Sequence, residues 1–90
     1  MHKSIYVTPV KQSRYTTEGK IVYGSIPISV FVEHSRRYGL NIIKCKEVKE
    51  DKYKIVFKYS LFKRKQFYES LAGLISSPTI LKYFYIPTTD

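Results

Sequence analysis

Residues 53–59 constrain this 90-residue chain more than any other segment. Tyr53, Ile55, Phe57 and Tyr59 alternate there with Lys54, Val56 and Lys58. Successive side chains of a strand point to opposite faces, so a period of two gives one apolar face and one largely cationic face. Such a strand fits an antiparallel sheet that is covered on one side and open on the other.

The remaining segments supply neighbours and a cover for that strand. Ser4 to Val10 reads as a strand, with Pro9 marking its end or an edge position. Lys11 to Gly19 is polar and reads as a loop or hairpin tip. Lys20 to Ser25 is a further strand, favoured by Ile21, Val22 and Tyr23 and broken by Gly24. Pro27 suits the first turn of a helix, where its missing N–H costs nothing. Ile28, Phe31, Val32 and Ser35 follow helical spacing, and Gly39 is a C-terminal stop. Arg36 and Arg37 complement the helix dipole near that end. Leu40 to Glu47 is the next strand, and Lys49-Glu50-Asp51-Lys52 is a polar turn into residues 53–59. Ser60 caps a second helix, whose stripe is Phe67, Leu71, Leu74 and Ile75. Ser76-Ser77-Pro78 ends that helix. Ile80 to Ile86 reads as the last strand, closed by Pro87.

From Lys20 onward the order is β-α-β-β-α-β, the arrangement of an α+β, ferredoxin-like sandwich. An antiparallel sheet then carries two helices on one face, with an extra N-terminal strand or hairpin. Ser4 to Val10 either pairs with Lys20 to Ser25 or is itself the first core strand, with residues 11–26 as an excursion. No linker or internal repeat divides the chain, so residues 1–90 read as one domain.

Two stretches carry a family resemblance. Tyr38-Gly39-Leu40-Asn41-Ile42 resembles the helix-to-strand junction of ACT-type regulatory domains. Phe67 to Ile80 resembles their second helix and the turn into the last strand. The similarity covers roughly residues 20–86. The family's Asp-x-Pro-Gly loop is represented only by Ser25-Ile26-Pro27-Ile28, without the acid or the glycine. The resemblance implies a non-catalytic sensing or interaction domain, often dimeric through sheet or helix faces, a type also found as cytoplasmic tails of membrane transporters.

Composition narrows the function classes. Sixteen Lys and Arg against seven Asp and Glu give a net charge of +9, which favours anionic partners. Residues 1–39 hold six cations and two acids, 40–59 six and three, and 60–90 four and two. No basic tail exists, so any cationic patch must be assembled by folding. The longest apolar run, Ile26 to Val32, is far short of the roughly 20 residues of a membrane span. Met1-His2-Lys3 leads straight into a strand-like segment, so no leader is expected. Cys45 is the only cysteine, which excludes an intrachain disulfide and points to a reducing, cytoplasmic compartment. No nucleotide, metal or hydrolase motif is present, so neither cofactor nor metal is expected.

Two constellations remain as candidate sites. Lys54 and Lys58, with Lys44 and Lys46 on the neighbouring strand, form a cationic sheet face that Tyr83 and Tyr85 could share. Lysines neutralise phosphates and rings stack on bases, so this set suits nucleic acid or a protein partner. Lys63, Arg64 and Lys65 open the second helix, where cations oppose the dipole and free N–H groups attract anions. Against that, Lys65 can pair with Glu69 four residues on. A Cys45–His34 pair is the only nucleophile arrangement, and it lacks oxyanion donors.

The leading expectation is therefore a non-enzymatic regulatory or interaction module, dimeric or bound to a protein partner or small anion. The alternative is a small nucleic-acid-binding protein. A dimeric module predicts an apolar open face covered by a second chain. Nucleic-acid binding predicts Lys and Tyr gathered on one continuous face.

Overall fold

The computed structural model describes residues 1–15 and 17–87, with side chains for all of these except Arg14, Tyr15, Val22 and Tyr23. In order, the elements are β1 (His2–Pro9), β2 (Gln12–Tyr15), β3 (Ile21–Gly24), α1 (Ile28–Arg37), β4 (Asn41–Lys49), β5 (Lys52–Lys58), α2 (Arg64–Ile75), α3 (Pro78–Tyr83) and β6 (Phe84–Tyr85). A 3-10 turn over Leu61–Lys63 leads into α2. The main sheet has the order β4-β5-β1-β6 and is antiparallel throughout. With β2 and β3 set aside, this is the ferredoxin-like βαββαβ sandwich, with the helices on one face.

The first core strand is β1, so the second of the two sequence alternatives holds. Residues 20–25 do not join the main sheet: β3 pairs with β2 as a separate hairpin. The physical reason is burial. β1 contributes Val7, fully buried, and Ile5 packed against the core. By contrast, β3 begins with Ile21, half exposed, and ends at Gly24.

The final strand also needs correction. Residues 80–86 are rich in aromatic and aliphatic side chains, yet Pro78–Tyr83 is helical and only Phe84–Tyr85 extends. Ser77 is extended and Pro78 sits at the start of α3, where a proline is preorganised. The helical turn drops Ile80 into the core and leaves Leu81 outside. Pairing of β6 is limited to Thr8 and Pro9, and Pro9 has no N–H to continue the ladder.

Both long helices form where their apolar spacing places them. Phe31 and Ser35 are buried on α1, and Phe67, Leu71 and Leu74 on α2. These pack on Val7, Ile55 and Phe57 of the sheet, with Leu40, Ile80 and Phe84 closing the core. Ring pairs Phe31–Phe84 at 5.4 Å and Phe57–Phe67 at 6.0 Å meet edge to face. Each such pair is worth about 0.5–1.5 kcal/mol beyond its buried area. The buried Ser35 hydroxyl is satisfied by donating to the Phe31 carbonyl at 2.9 Å.

Gly39 ends α1 for a stereochemical reason. Its φ is +78°, and its N–H donates to Arg36 O while that of Leu40 donates to Ser35 O. These two bonds form a Schellman motif, which a left-handed residue permits. Gly73 allows a close approach instead. A Cβ there would lie 3.1 Å from Cε1 of Tyr38, so the end of α1 nests against α2.

Candidate functional site

Strand register decides what the open face presents. In β1–β5 the pairs are His2 with Lys58, Ser4 with Val56 and Tyr6 with Lys54. In β4–β5 they are Asn41 with Lys58, Lys44 with Val56 and Lys46 with Lys54. Directly paired residues share a face. Ile55 and Phe57 are buried under the helices, so these three rungs lie on the opposite, open face. Lys52 joins them, its Nζ lying 5.0 Å from the Tyr6 ring centroid.

The sequence-predicted Lys44, Lys46, Lys54 and Lys58 are therefore brought together. Lys52, Tyr6 and His2 complete the group and were not anticipated. Tyr6 and His2 could be placed only once β1 was known to lie beside β5. Lys52 read as part of the turn, but it is the first residue of β5. Tyr85 pairs with Thr8 on the same face at the far edge and is exposed. Tyr83 does not belong to this face. It lies in α3, partly buried against the core, because the chain there is helical.

This face carries one sign of charge. Lys46 stands opposite Lys54, and Lys49 opposite Lys52. Like charges facing each other across strands cost roughly 0.2–1 kcal/mol. Among the described residues, none of Lys44, Lys46, Lys52, Lys54 and Lys58 is in an ion pair. Two of the nearby acids, Glu47 and Asp51, are turned elsewhere. Glu47 pairs with Tyr53 on the helix side, and Asp51 in the turn meets Lys11 at 3.9 Å. Burial pushes the Tyr53 phenol above its ordinary pKa, and the charge of Glu47 and a hydrogen bond to it act in the same direction. Neighbouring rungs are about 7 Å apart along a strand and about 5 Å between strands.

Near the α1–β4 junction the face meets a cleft of about 250 Å³. Lys58 and Asn41 line it from the sheet, and Ser60, Lys63 and Gln66 from the approach to α2. Tyr59 forms part of the wall, stacked on Phe67 at 4.2 Å. A hydrogen bond with Tyr68 raises the Tyr59 pKa, and burial adds to it.

The three cations at the start of α2 diverge. Lys63 lines the cleft, Arg64 lies over the Tyr68 ring at 5.8 Å, and Lys65 is exposed. Among the described residues Lys65 makes no ion pair with Glu69. No acid occupies the first turn of α2 and no side chain caps it. Phe62, in the 3-10 turn, is 98% exposed and leaves an unengaged ring beside these cations. Its sequence neighbours gave no sign of this, because it lies off the apolar stripe of α2.

Cys45 and His34 do not form a site. Cys45 is exposed on β4, with its thiol pushed up by partial burial, which lowers its thiolate fraction. His34 directs Nδ1 to the Val30 carbonyl, 3.1 Å away within its own helix. Among the described residues no group of three or more His, Cys, Asp or Glu could hold a metal ion. No helix among them is long and apolar enough to cross a membrane.

No protein-family model, curated protein or solved structure matches the chain significantly. The fold is thus a compact α+β domain of ferredoxin-like topology, and no homology ties it to the ACT family.

Proposed function

We propose that the protein binds single-stranded nucleic acid on the open face of its sheet, without catalysis. The observation that carries this reading is the cationic surface of Lys44, Lys46, Lys52, Lys54 and Lys58 around Tyr6 and Val56, with no ion pair to any described acid. Lysines at about 7 Å and 5 Å spacing can follow a phosphate backbone. Tyr6 and the edge residue Tyr85 offer rings on which unpaired bases stack. A duplex hides its base faces, which favours a single strand. The opposed like charges support the same view, since they cost stability in the free protein and a polyanion relieves them.

The dimeric regulatory module asks for a different surface. Its open face would be apolar, whereas the aliphatic residue among the three central rungs is Val56, flanked by Lys44 and Ser4. The nucleic-acid reading is therefore preferred over the leading sequence expectation.

Fluorescence anisotropy with labelled single-stranded RNA, single-stranded DNA and duplex DNA, at two salt concentrations, tests it. Binding of single strands at micromolar concentration or tighter, lost in Lys54→Glu/Lys58→Glu, is the expected result. Absence of binding at low salt, or a charge-reversed variant that binds like the parent, overturns it.

A further inference from the structure

We infer that the cleft beside Lys58 seats a phosphorylated end of the bound strand. This rests on the reading of the open face given above and adds a recognised chemical group to it.

Continuity comes first. Asn41 and Lys58 belong to the last rung of the open face, with His2, and both also line the cleft. A strand tracking the lysines reaches the cleft past Lys44 and Val56 without meeting an acid on the three rungs. Charge comes second. Lys58 on β5 and Lys63 on the 3-10 turn reach the same space from two separate elements, and no acid among the described residues lines it. The hydroxyl of Ser60 and the side-chain amides of Asn41 and Gln66 add neutral hydrogen-bonding groups. A bridging phosphodiester carries a single negative charge. A terminal phosphate monoester carries about −1.5 to −2 at neutral pH, with three acceptor oxygens. Two lysines on one lining, with several neutral donors, match the monoester better than the diester. Size comes third. At about 250 Å³, the cleft is smaller than the roughly 300–1,000 Å³ pockets of drug-sized ligands. It has room for a phosphate and part of its nucleoside, not for several nucleotides. Tyr59 and Phe67 supply apolar wall for the sugar or base.

The test uses one oligonucleotide sequence in three forms, with a 5′-phosphate, with a 3′-phosphate, or with hydroxyls at both ends. Affinities are measured at fixed salt for the parent, Lys63→Gln and Lys46→Gln. One phosphorylated form should bind the parent about 5-fold or more tightly than the hydroxyl form. In Lys63→Gln that preference should vanish, while the hydroxyl form stays within about 2-fold of the parent. In Lys46→Gln all three forms should weaken and the preference should persist. A phosphate adds charge anywhere on the strand, so survival of the preference in Lys63→Gln refutes the inference. Equal binding of all three forms by the parent refutes it too, and leaves the open-face reading intact. If no form binds the parent at low salt, both readings fall together. Lys63 is an exposed side chain, and circular dichroism of the variant checks that the fold is retained.

Discussion

Replacing Lys46 and Lys54 by glutamine should move folding stability and nucleic-acid affinity in opposite directions. The two lysines face each other across β4 and β5. Removing their repulsion should leave stability unchanged or raise it by a few tenths of a kcal/mol. The binding effect follows from counterion release. If each of Lys44, Lys46, Lys52, Lys54 and Lys58 neutralises one phosphate, log K falls against log salt with a slope of about −3.5 on single strands. Raising salt from about 50 to 200 mM then weakens binding on the order of 100-fold. The double variant keeps three of these lysines, so its slope should be about −2.1 and its loss over the same range roughly 20-fold. Anisotropy titrations at four salt concentrations give the slopes, and urea denaturation of the same samples gives stability. Equal slopes for parent and variant would remove Lys46 and Lys54 from the phosphate path. A joint fall in stability and affinity would show that the substitution damages the sheet, and would refute the claim that these cations oppose each other in the free protein.

Two further outcomes are expected. Gly39→Ala forces a Cβ onto a residue at φ +78° with open space around it, so the cost is backbone strain alone, about 1–2 kcal/mol; a thermal melt lowered by several degrees is the expected result, and an unchanged melt contradicts the Schellman assignment. The raised pKa of Tyr53 means that the folded chain holds this proton more tightly than the unfolded chain, so its contribution is intact below about pH 10 and is lost as pH rises through the folded value. Tyr53→Phe should therefore lose less stability than the parent as pH rises above about 10, and parallel pH–stability curves would refute the raised pKa that burial and Glu47 together produce.

Residues 53–59 announced the sheet because their alternation survives intact in β5, with Ile55 and Phe57 buried and Lys54 and Lys58 turned away. The helices were legible for the same reason, since one stripe of each meets the core. Gly39 was legible because a left-handed cap has almost no substitute for glycine. The last strand was misread because Ile80, Tyr83 and Phe84 have strand-like side chains, while the start at Pro78 and the burial of Ile80 favour a helical turn. That error carried Tyr83 onto a face it does not occupy. Tyr6 was missed for the complementary reason. Its own segment was recognised as a strand, but its partner Lys54 lies 48 residues away in sequence, and no local pattern reports a partner at that distance. The cleft, formed where three elements end, has no sequence signature of its own.

The position of β1 has a kinetic consequence. It precedes the other strands of the sheet in sequence, yet it sits between β5 and β6, and His2 must find Lys58. No hairpin can deliver it there. β4 and β5 are joined by the two-residue turn Glu50-Asp51, so they can zip up locally as soon as both exist. Closing a loop of this length costs roughly 3 kcal/mol more entropy than closing a tight turn. The strand that comes before the others of its sheet in sequence is then among the last to dock. Until it does, the inner edge of β5 is bare and the lysines of β4 and β5 stand without Tyr6 and His2 beside them. The joining of Tyr6 to those lysines and completion of the fold are one event, set by a long-range search and not by local propensity.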